Sequence, residues 1–486
     1  MPSSHSRWKQ IDEKLEPEHH ARIVERQVNA LDRQSLDDLY REVGSLAFDP
    51  VVLLKMVLLQ ILQGHRSPAK WYKEAKLNEA MQWIGRGYVP ARRTWYQFRD
   101  RVGDAIDDLH QQLISGAIEQ QLIEPRTGVQ DGTTVAACAS RHRMVNQETL
   151  ERRTELLGGV IDGTLEENAP VPLWVPPTER GRLELAQRMQ TADEVLRGRI
   201  EQNAKKSADN RKDPKKIVVS LTDPIAPLGR DKLKVYRPLY TVQYVVDSVS
   251  RMILSYCCLA ETTDAGTLAP MIDKTQAIVG GILETMMADA AYCSILDLRD
   301  CQQRQVDLLA PVASNRFTEK KKQATGETQI PRDNFTWNEQ EQSYRCPNGH
   351  ALKYVDRERK SRYGDRTLWE YRYRCSSEHC QSCPLMSQCL RPGASYRTIK
   401  RLEGQELVDA QREKMADPEV QARYAARGQS VELGFADAKA HRGLGRYHGR
   451  GLSRAQTETG LLVLAQNLLK LDRLQQAALK SKEITT

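Results

Sequence analysis

The chain reads as an α/β protein: a mixed five-stranded sheet flanked by helices, preceded by an all-α module and interrupted by a small cysteine-rich insertion. Three observations predict this. Residues 1–125 carry helix start signals and helical periodicity. At Thr127 the period changes to strand alternation, and the elements from there follow the order βββαβαβ. Five of the ten cysteines fall together in one polar stretch, at Cys346, Cys375, Cys380, Cys383 and Cys389.

The elements follow in order. Asp49-Pro50 supplies an N-cap and a first-turn proline for an apolar helix over Val51–Gln63, which Gly64 ends. Ser67-Pro68 repeats the signal for a helix through Trp71. After Pro90, Thr94 and Gln97 fit a capping box opening a helix that carries Arg99 and Arg101. Val129, Asp131, Thr133 and Val135 then alternate as a strand does. Residues 145–215 return to helix, with Leu185, Met189, Leu196 and Ile200 on one face, and Lys205–Lys216 reads as a mobile link. Leu239–Val246 and Met252–Leu259 form an antiparallel hairpin about Asp247-Ser248. Asp264–Val279 is read as helix, Thr285–Ala290 as strand, Ser294–Gln303 as helix and Val306–Val312 as strand. The stretch after Lys320–Lys322, which holds the clustered cysteines, shows no clear period. From Arg401 the pattern is helical again, with one stretch over Glu419–His441, a break at Gly443–Gly451 and an apolar helix over Gln456–Leu474.

Composition bounds the function. A chain of 486 residues with 40% hydrophobic and 28% charged residues is globular, and its length predicts two to four domains. The division expected is 1–125, a helical module whose basic residues at one helix entrance suit phosphate contacts; 126–312, the first part of the core, with a helical insertion about 145–215; 313–400, the cysteine-rich insertion; and 401–486, completing the core. No apolar run reaches the ~18 residues of a membrane span. Met1–Val28 has no apolar signal core, so a cytoplasmic protein with reduced thiols or bound metal is expected, and no membrane partner. The net charge of +8 permits a polyanionic partner without requiring one.

Three carboxylates carry the chemistry. Asp131 lies within a strand, Asp289 ends one, and Glu432 sits on a helix with Lys439 two turns further along the same face. Each alone has an ordinary structural reading: a turn acid, a helix N-cap, a solvated surface acid. Together they are what a two-metal site needs, hard oxygen ligands for a pair of Mg²⁺ or Mn²⁺ ions about 3.5–4 Å apart.

On these residues the chain resembles the DDE transposases of bacterial insertion sequences. Asp131-Gly132-Thr133 resembles their first-aspartate motif and Ala288-Asp289-Ala290-Ala291-Tyr292 the second. Tyr424, Arg427, Glu432 and Lys439 fall as in the Tyr-Arg-Glu-Lys signature, followed by His441-Arg442-Gly443-Leu444 and Arg450-Gly451-Leu452. The resemblance implies an RNase H-like core, with Asp131, Asp289 and Glu432 as metal ligands. It implies that Arg427 and Lys439 contact DNA phosphates with support from Tyr424. Arg427 stands about 140° around an ideal helix from Glu432, so it reaches a different strand segment or needs an irregular turn.

Cys346-Pro-Asn-Gly-His350 with Cys380, Cys383 and Cys389 resembles the cysteine-rich insertion of one branch of these enzymes. It implies one structural Zn²⁺, with Cys375 as a fifth candidate ligand and His350 and His379 as substitutes. Lys439, Arg442, Arg446, Arg450 and Arg454 recur through a segment containing no acid, which suits DNA phosphates. The expected activity is cut-and-paste transposition: binding of terminal inverted repeats in double-stranded DNA, strand cleavage, then transfer to target DNA. A homodimer in the DNA complex and a nucleoid-associated location go with it. The alternatives are a nuclease of the same fold without transfer, and a catalytically retired, zinc-stabilised DNA-binding protein.

Overall fold

The computed structural model describes residues 4–40, 48–164, 170–206, 208–313, 330–361 and 366–485. The basic run Lys320–Lys322 lies outside them. Two compact units emerge, one of residues 1–264, 270–287 and 426–486, the other of 265–269 and 288–425. The boundary expected near residue 125 lies inside the first.

Among the described residues the first unit opens with eight helices: α1 (Ser4–Lys14), α2 (His20–Asn29), α3 (Gln34–Asp37), α4 (Pro50–Leu62), α5 (Pro68–Leu77), α6 (Glu79–Ile84), α7 (Arg92–Arg101) and α8 (Gly103–Glu119). The start signals act as expected. Asp49 accepts from Val51 N–H, Ser67 accepts from Lys70 N–H, and Gly64 takes φ +81° just past α4. Helix α5 runs on to Leu77 rather than stopping at Trp71. The capping box at Thr94 does not form: α7 begins at Arg92, two residues earlier, with Ala91 before it and no side-chain cap.

The sheet is mixed. Strand β1 (Thr127–Ala136) pairs antiparallel with β5 (Tyr236–Asp247) and parallel with β7 (Thr285–Met287). Strand β6 (Ile253–Leu259) pairs antiparallel with β5, and the short β4 (Leu228–Arg230), which was not anticipated, extends the start of β5 into a hairpin. Between β1 and β4 the expected helical insertion appears as α9 (Gln147–Asp162) and α10 (Glu179–Ala204), closed by the two-residue strands β2 (Met144–Val145) and β3 (Val219–Ser220). It has its own core, with Leu150, Leu157, Leu185, Met189 and Leu196 all buried. Among the described residues of the Lys205–Lys216 link are two 3₁₀ turns, Ala208–Asn210 and Pro214–Lys216, and Asn203 accepts from the Lys212 N–H at 2.9 Å and donates to its carbonyl at 2.7 Å. Helix α11 (Leu268–Val279) leads into β7.

In the second unit, α12 (Ile295–Gln303) opens on a true capping box between Ser294 and Asp297 and precedes β8 (Asp307–Leu309). The cysteine-rich stretch is the main departure from expectation. It is a five-stranded antiparallel sheet in the order β13-β12-β11-β10-β9, with β9 (Thr336–Asn338), β10 (Ser343–Arg345), β11 (Ala351–Ser361), β12 (Thr367–Arg374) and β13 (Thr398–Leu402). Short helices α13 (Ser377–Gln381) and α14 (Met386–Cys389) follow β12, and α15 (Gln405–Ala416) and α16 (Pro418–Ala425) follow β13. Tyr344, Tyr373 and Trp337 pack edge-on or tilted at 5.0–5.5 Å between ring centres and form the core with Phe335, Leu352 and Ile399.

The chain returns to the first unit for α17 (Arg427–Ala440) and α18 (Leu452–Thr485). Helix α18 packs on α8, α4, α2 and β6, and Leu461, Leu462, Val463, Leu464 and Leu468 are fully buried. Its Asn467 treats Ile253 of β6 as a strand neighbour would, accepting from the Ile253 N–H at 2.9 Å and donating to its carbonyl at 2.8 Å. His110 of α8 donates to the same carbonyl through Nε2 at 2.9 Å. Among the described residues no helix is long and apolar enough to cross a membrane.

His110 is 1% exposed, and burial drives its pKa down from 6.5 to about 4. The unfolded chain therefore binds the extra proton between pH 6.5 and 4. The stabilisation is present above pH 6.5, falls as pH drops, and is fully lost below about 4. The difference corresponds to about 3 kcal/mol. Urea unfolding of the wild type from pH 7 to pH 4.5 should show this decline and His110→Gln a flatter one; equal slopes would remove His110 as the cause.

Candidate active site

Strand alternation puts Asp131 and Thr133 on the same face of β1, and α17 lies over that face. The helix seats itself through Ser430, Val431, Gly434, Phe435 and Ala438, a buried stripe at helical spacing. Phe435 stacks on Tyr244 at 4.3 Å between ring centres and 13° between planes. Tyr244 is the register partner of Asp131 on β5. One aromatic contact thus fixes the helix bearing Glu432 beside the strand bearing Asp131.

Gly132 is required by the other face of the sheet. A Cβ there would stand 2.4 Å from Gln243 Nε2 and 2.5 Å from Asp264 Oδ1, and these two groups are already hydrogen-bonded to each other at 2.6 Å. The Gly132 N–H donates to Asp131 Oδ1 at 2.8 Å, which orients the carboxylate.

Asp131, Thr133, Glu432 and Lys439 line one open cavity of about 720 Å³, together with Lys232 from the β4–β5 turn. Lys439 Nζ donates to Thr133 Oγ1 at 2.5 Å. Burial, and then the nearby Lys232 ammonium, holds the Lys439 amine below the ordinary lysine range. The glutamate side chain is 65% exposed. Two carboxylates and two ammonium groups around an open cavity can bind a cation and an anion side by side.

The helical stretch expected over Glu419–His441 is broken at Ala426 into α16 and α17, so Arg427 is the first residue of α17. From that end its side chain reaches both acids, with Nη2 3.5 Å from Asp131 Oδ1 and Nη1 4.0 Å from Glu432 Oε1. Only 12% of the Arg427 side chain is exposed, and its Nε makes no hydrogen bond. The irregular turn is thus the one present, and Arg427 faces the acids.

Asp289 and Tyr424 belong to the second unit. Asp289 follows β7 in sequence and caps the 3₁₀ turn Ala290–Tyr292, accepting from Ala291 N–H at 2.7 Å. Tyr424 donates to the Ala288 carbonyl at 3.0 Å, which holds the backbone next to Asp289.

The basic segment after α17 divides in two. Arg442 serves the fold, pairing with Asp437 at 3.2 Å and donating to the Leu62 carbonyl. Arg454 pairs with Asp100 at 2.8 Å. Arg446 and Arg450 are exposed. The segment lacks acids of its own, but Asp437 just before it and Asp100 from a distant part of the chain supply them. Lys232 was missed altogether; its only signal is the charged turn Arg230-Asp231-Lys232-Leu233-Lys234 before a strand.

All ten cysteines are free thiols. In the second unit the β10–β11 turn brings Cys346 and His350 together, with Gly349 at φ +83° and the Cys346 N–H donating to the His350 carbonyl at 2.9 Å. These two residues and Cys375, His379, Cys380, Cys383 and Cys389 line a small cavity of about 20 Å³. Burial first, then Cys380 and Cys346, push the Cys375 thiol up to about 12. Among the described residues no three His, Cys, Asp or Glu side chains stand in metal-holding geometry. For zinc the donor chemistry fits; for Mg²⁺ or Mn²⁺ the hard oxygens of Asp131 and Glu432 fit.

Two family models match. Transposase DDE domain matches residues 345–472, and Transposase domain (DUF772) matches residues 9–101. No curated protein matches the chain. Among solved structures it is similar to the piggyBac transposase synaptic complex with hairpin DNA, at 9% identity over 93% of this chain and 73% of that one, with a TM-score of 0.31.

Proposed function

From its two family matches, which mark the chain as a DDE transposase of the insertion-sequence type, we propose that it binds its element's terminal inverted repeats and catalyses metal-dependent strand cleavage and transfer. The observation that carries this reading is the cavity where Asp131 and Glu432 meet Lys232 and Lys439 across from Arg427. The strand order β6-β5-β1-β7, with β1 antiparallel to β5 and parallel to β7, supports an RNase H-like core.

Asp131, Asp289 and Glu432 would hold two Mg²⁺ or Mn²⁺ ions. When bound, the ions supply a nucleophilic oxygen and a Lewis acid at the leaving oxygen. The chain's own residues do the rest. Lys439 and Lys232 neutralise non-bridging phosphate oxygens. Phe435 on Tyr244 fixes the separation of two of the acids, and Tyr424 steadies the backbone beside the third. Arg427 balances two carboxylates before metal and DNA arrive and turns to phosphate afterwards. Double-stranded DNA, as repeat and as target, is the partner. Joining two ends calls for a homodimer in the complex.

The test is incubation with a duplex carrying the repeats that flank the gene, Mn²⁺ and a target plasmid. Joined product is expected. Cleavage without joining would favour the nuclease. Binding without cleavage, unaffected by Asp289→Ala, would favour the retired binding protein.

Arg427 gives a second expected outcome. A guanidinium about 4 Å from a carboxylate competes with a cation by about 1–4 kcal/mol in a partly solvated site. Arg427→Ala should therefore tighten Mn²⁺ binding to the DNA-free chain by about tenfold in calorimetry while slowing cleavage. Unchanged Mn²⁺ affinity would refute the balancing role.

The cysteine cluster is proposed to hold one structural Zn²⁺ through four of Cys346, Cys375, Cys380, Cys383 and Cys389. Elemental analysis should find about one equivalent in the purified chain, falling in Cys380→Ser/Cys383→Ser. A metal-free, folded wild type would sink this.

A further inference from the structure

Past Asp131, β1 ends at Ala136 and the chain turns through Cys138–Arg143. That turn, with Arg237, Arg446 and Arg450, walls an open groove of about 480 Å³. Five arginines line it, Arg141, Arg143, Arg237, Arg446 and Arg450, and among the described residues no carboxylate does. One of the five, Arg237, is engaged by an acid, Asp231, at 2.9 Å.

The groove is built rather than incidental. Backbone bonds tie the basic segment to the end of β1, with Ala136 N–H donating to Gly445 O at 3.3 Å and Tyr447 N–H to Ala136 O at 2.9 Å. Buried Asp223 accepts from Gly451 N–H at 3.1 Å and from the Tyr240 hydroxyl at 2.8 Å. Arg446 and Arg450 are therefore presented from a segment held at both ends, and little ordering entropy remains to be lost on binding.

The ligand follows from the chemistry. Guanidinium groups bind phosphate oxygens bidentately, and an open groove whose lining offers only His142 as a ring suits a backbone rather than a base. From Asp131 to Ala136 the strand rises about 17 Å at ~3.3 Å per residue, which is about five base-pair steps of ~3.4 Å. We infer that this groove is a second DNA contact, a track for the phosphate backbone of the duplex away from the acids. The inference rests on the proposed reading for its choice of duplex DNA and adds Arg141, Arg143 and Arg237 to the residues that bind it.

The test is anisotropy of a labelled duplex of about 30 base pairs and arbitrary sequence, titrated from about 50 to 200 mM salt. Each lost phosphate contact removes ~0.9 from the slope of log K against log salt. Arg141→Ala/Arg143→Ala should lower that slope by about 1.8 and weaken binding by about tenfold or more. Arg141→Lys/Arg143→Lys should retain most of the slope. The charge-matched pair Arg152→Ala/Arg180→Ala, on the helical insertion, should leave it unchanged. An unchanged slope in the first variant, or equal loss in the Lys pair, overturns the inference. Mn²⁺-dependent cleavage is scored separately. Slope loss in a chain that never cleaves leaves the groove standing and the active-site reading fallen, whereas intact cleavage with an unchanged slope does the reverse.

Discussion

Asp131→Asn is expected to slow strand cleavage by about 10³-fold or more while duplex affinity stays within about threefold. Asparagine keeps the volume and an acceptor for the Gly132 N–H, so β1 and its register should survive. What disappears is the negative charge that pairs with Arg427 and that is proposed to hold a hard cation. Withdrawing a metal ligand removes several kcal/mol of transition-state stabilisation, and about 4 kcal/mol corresponds to that rate. Asp289→Asn and Glu432→Gln should do the same. Asp437 is the contrast. It already bonds Arg442 at 3.2 Å and Gln466 at 2.8 Å, so Asp437→Asn should reduce stability and spare chemistry. Single-turnover cleavage beside a melting curve checks all four. Cleavage within about tenfold of wild type in all three active-site variants would dismiss the acids as ligands.

The second large effect is on the fold. Arg66 and Glu458 form an ion pair at 3.7 Å with both side chains 2% exposed. Glu458 also accepts the N–H groups of His448 and Gly449, and Arg66 donates to the Glu458 carbonyl at 3.0 Å. Removing one member leaves a charge buried without its partner, a loss of about 3–5 kcal/mol. Glu458→Ala should therefore lower the urea midpoint sharply and free the segment that carries Arg446 and Arg450. Glu458→Gln, which keeps an acceptor for the two N–H groups, should keep more of that segment's order although the charge is gone. A Glu458→Ala protein within about 1 kcal/mol of wild type would refute the account.

Local rules were legible where one residue decides one bond. Asp49 and Ser67 cap the helices they announce, and the alternation about Asp131 is a strand because its neighbours make it half-buried. The sheet β9–β13 was hidden because its strands carry charge on positions where alternation is normally read. Arg372 pairs with Asp356 at 2.5 Å and Lys400 with Glu370 at 2.7 Å, and Glu370 is itself 6% exposed. Such pairs make a strand look like a polar linker. Arg427 was legible as a residue but not as a geometry, since no proline marks the break at Ala426 and Gly428 falls inside α17 rather than at the break. The basic segment shows the same limit. Its positive charges are plain in the sequence, but Arg442 and Arg454 also find acceptors at Leu62 and Asp100, which only the fold brings near.

The Asn467 contact with Ile253 has a consequence in time. The two residues are 214 positions apart. At about 5–20 residues per second of synthesis, β6 leaves the ribosome about 10–40 s before the side chain that completes it. Throughout that interval the strand has an open edge and the apolar face destined for α18 is bare, a state that invites pairing with other chains. The edge closes only once residue 467 is in place, and a message cut short before codon 467 would yield a polypeptide that keeps it open.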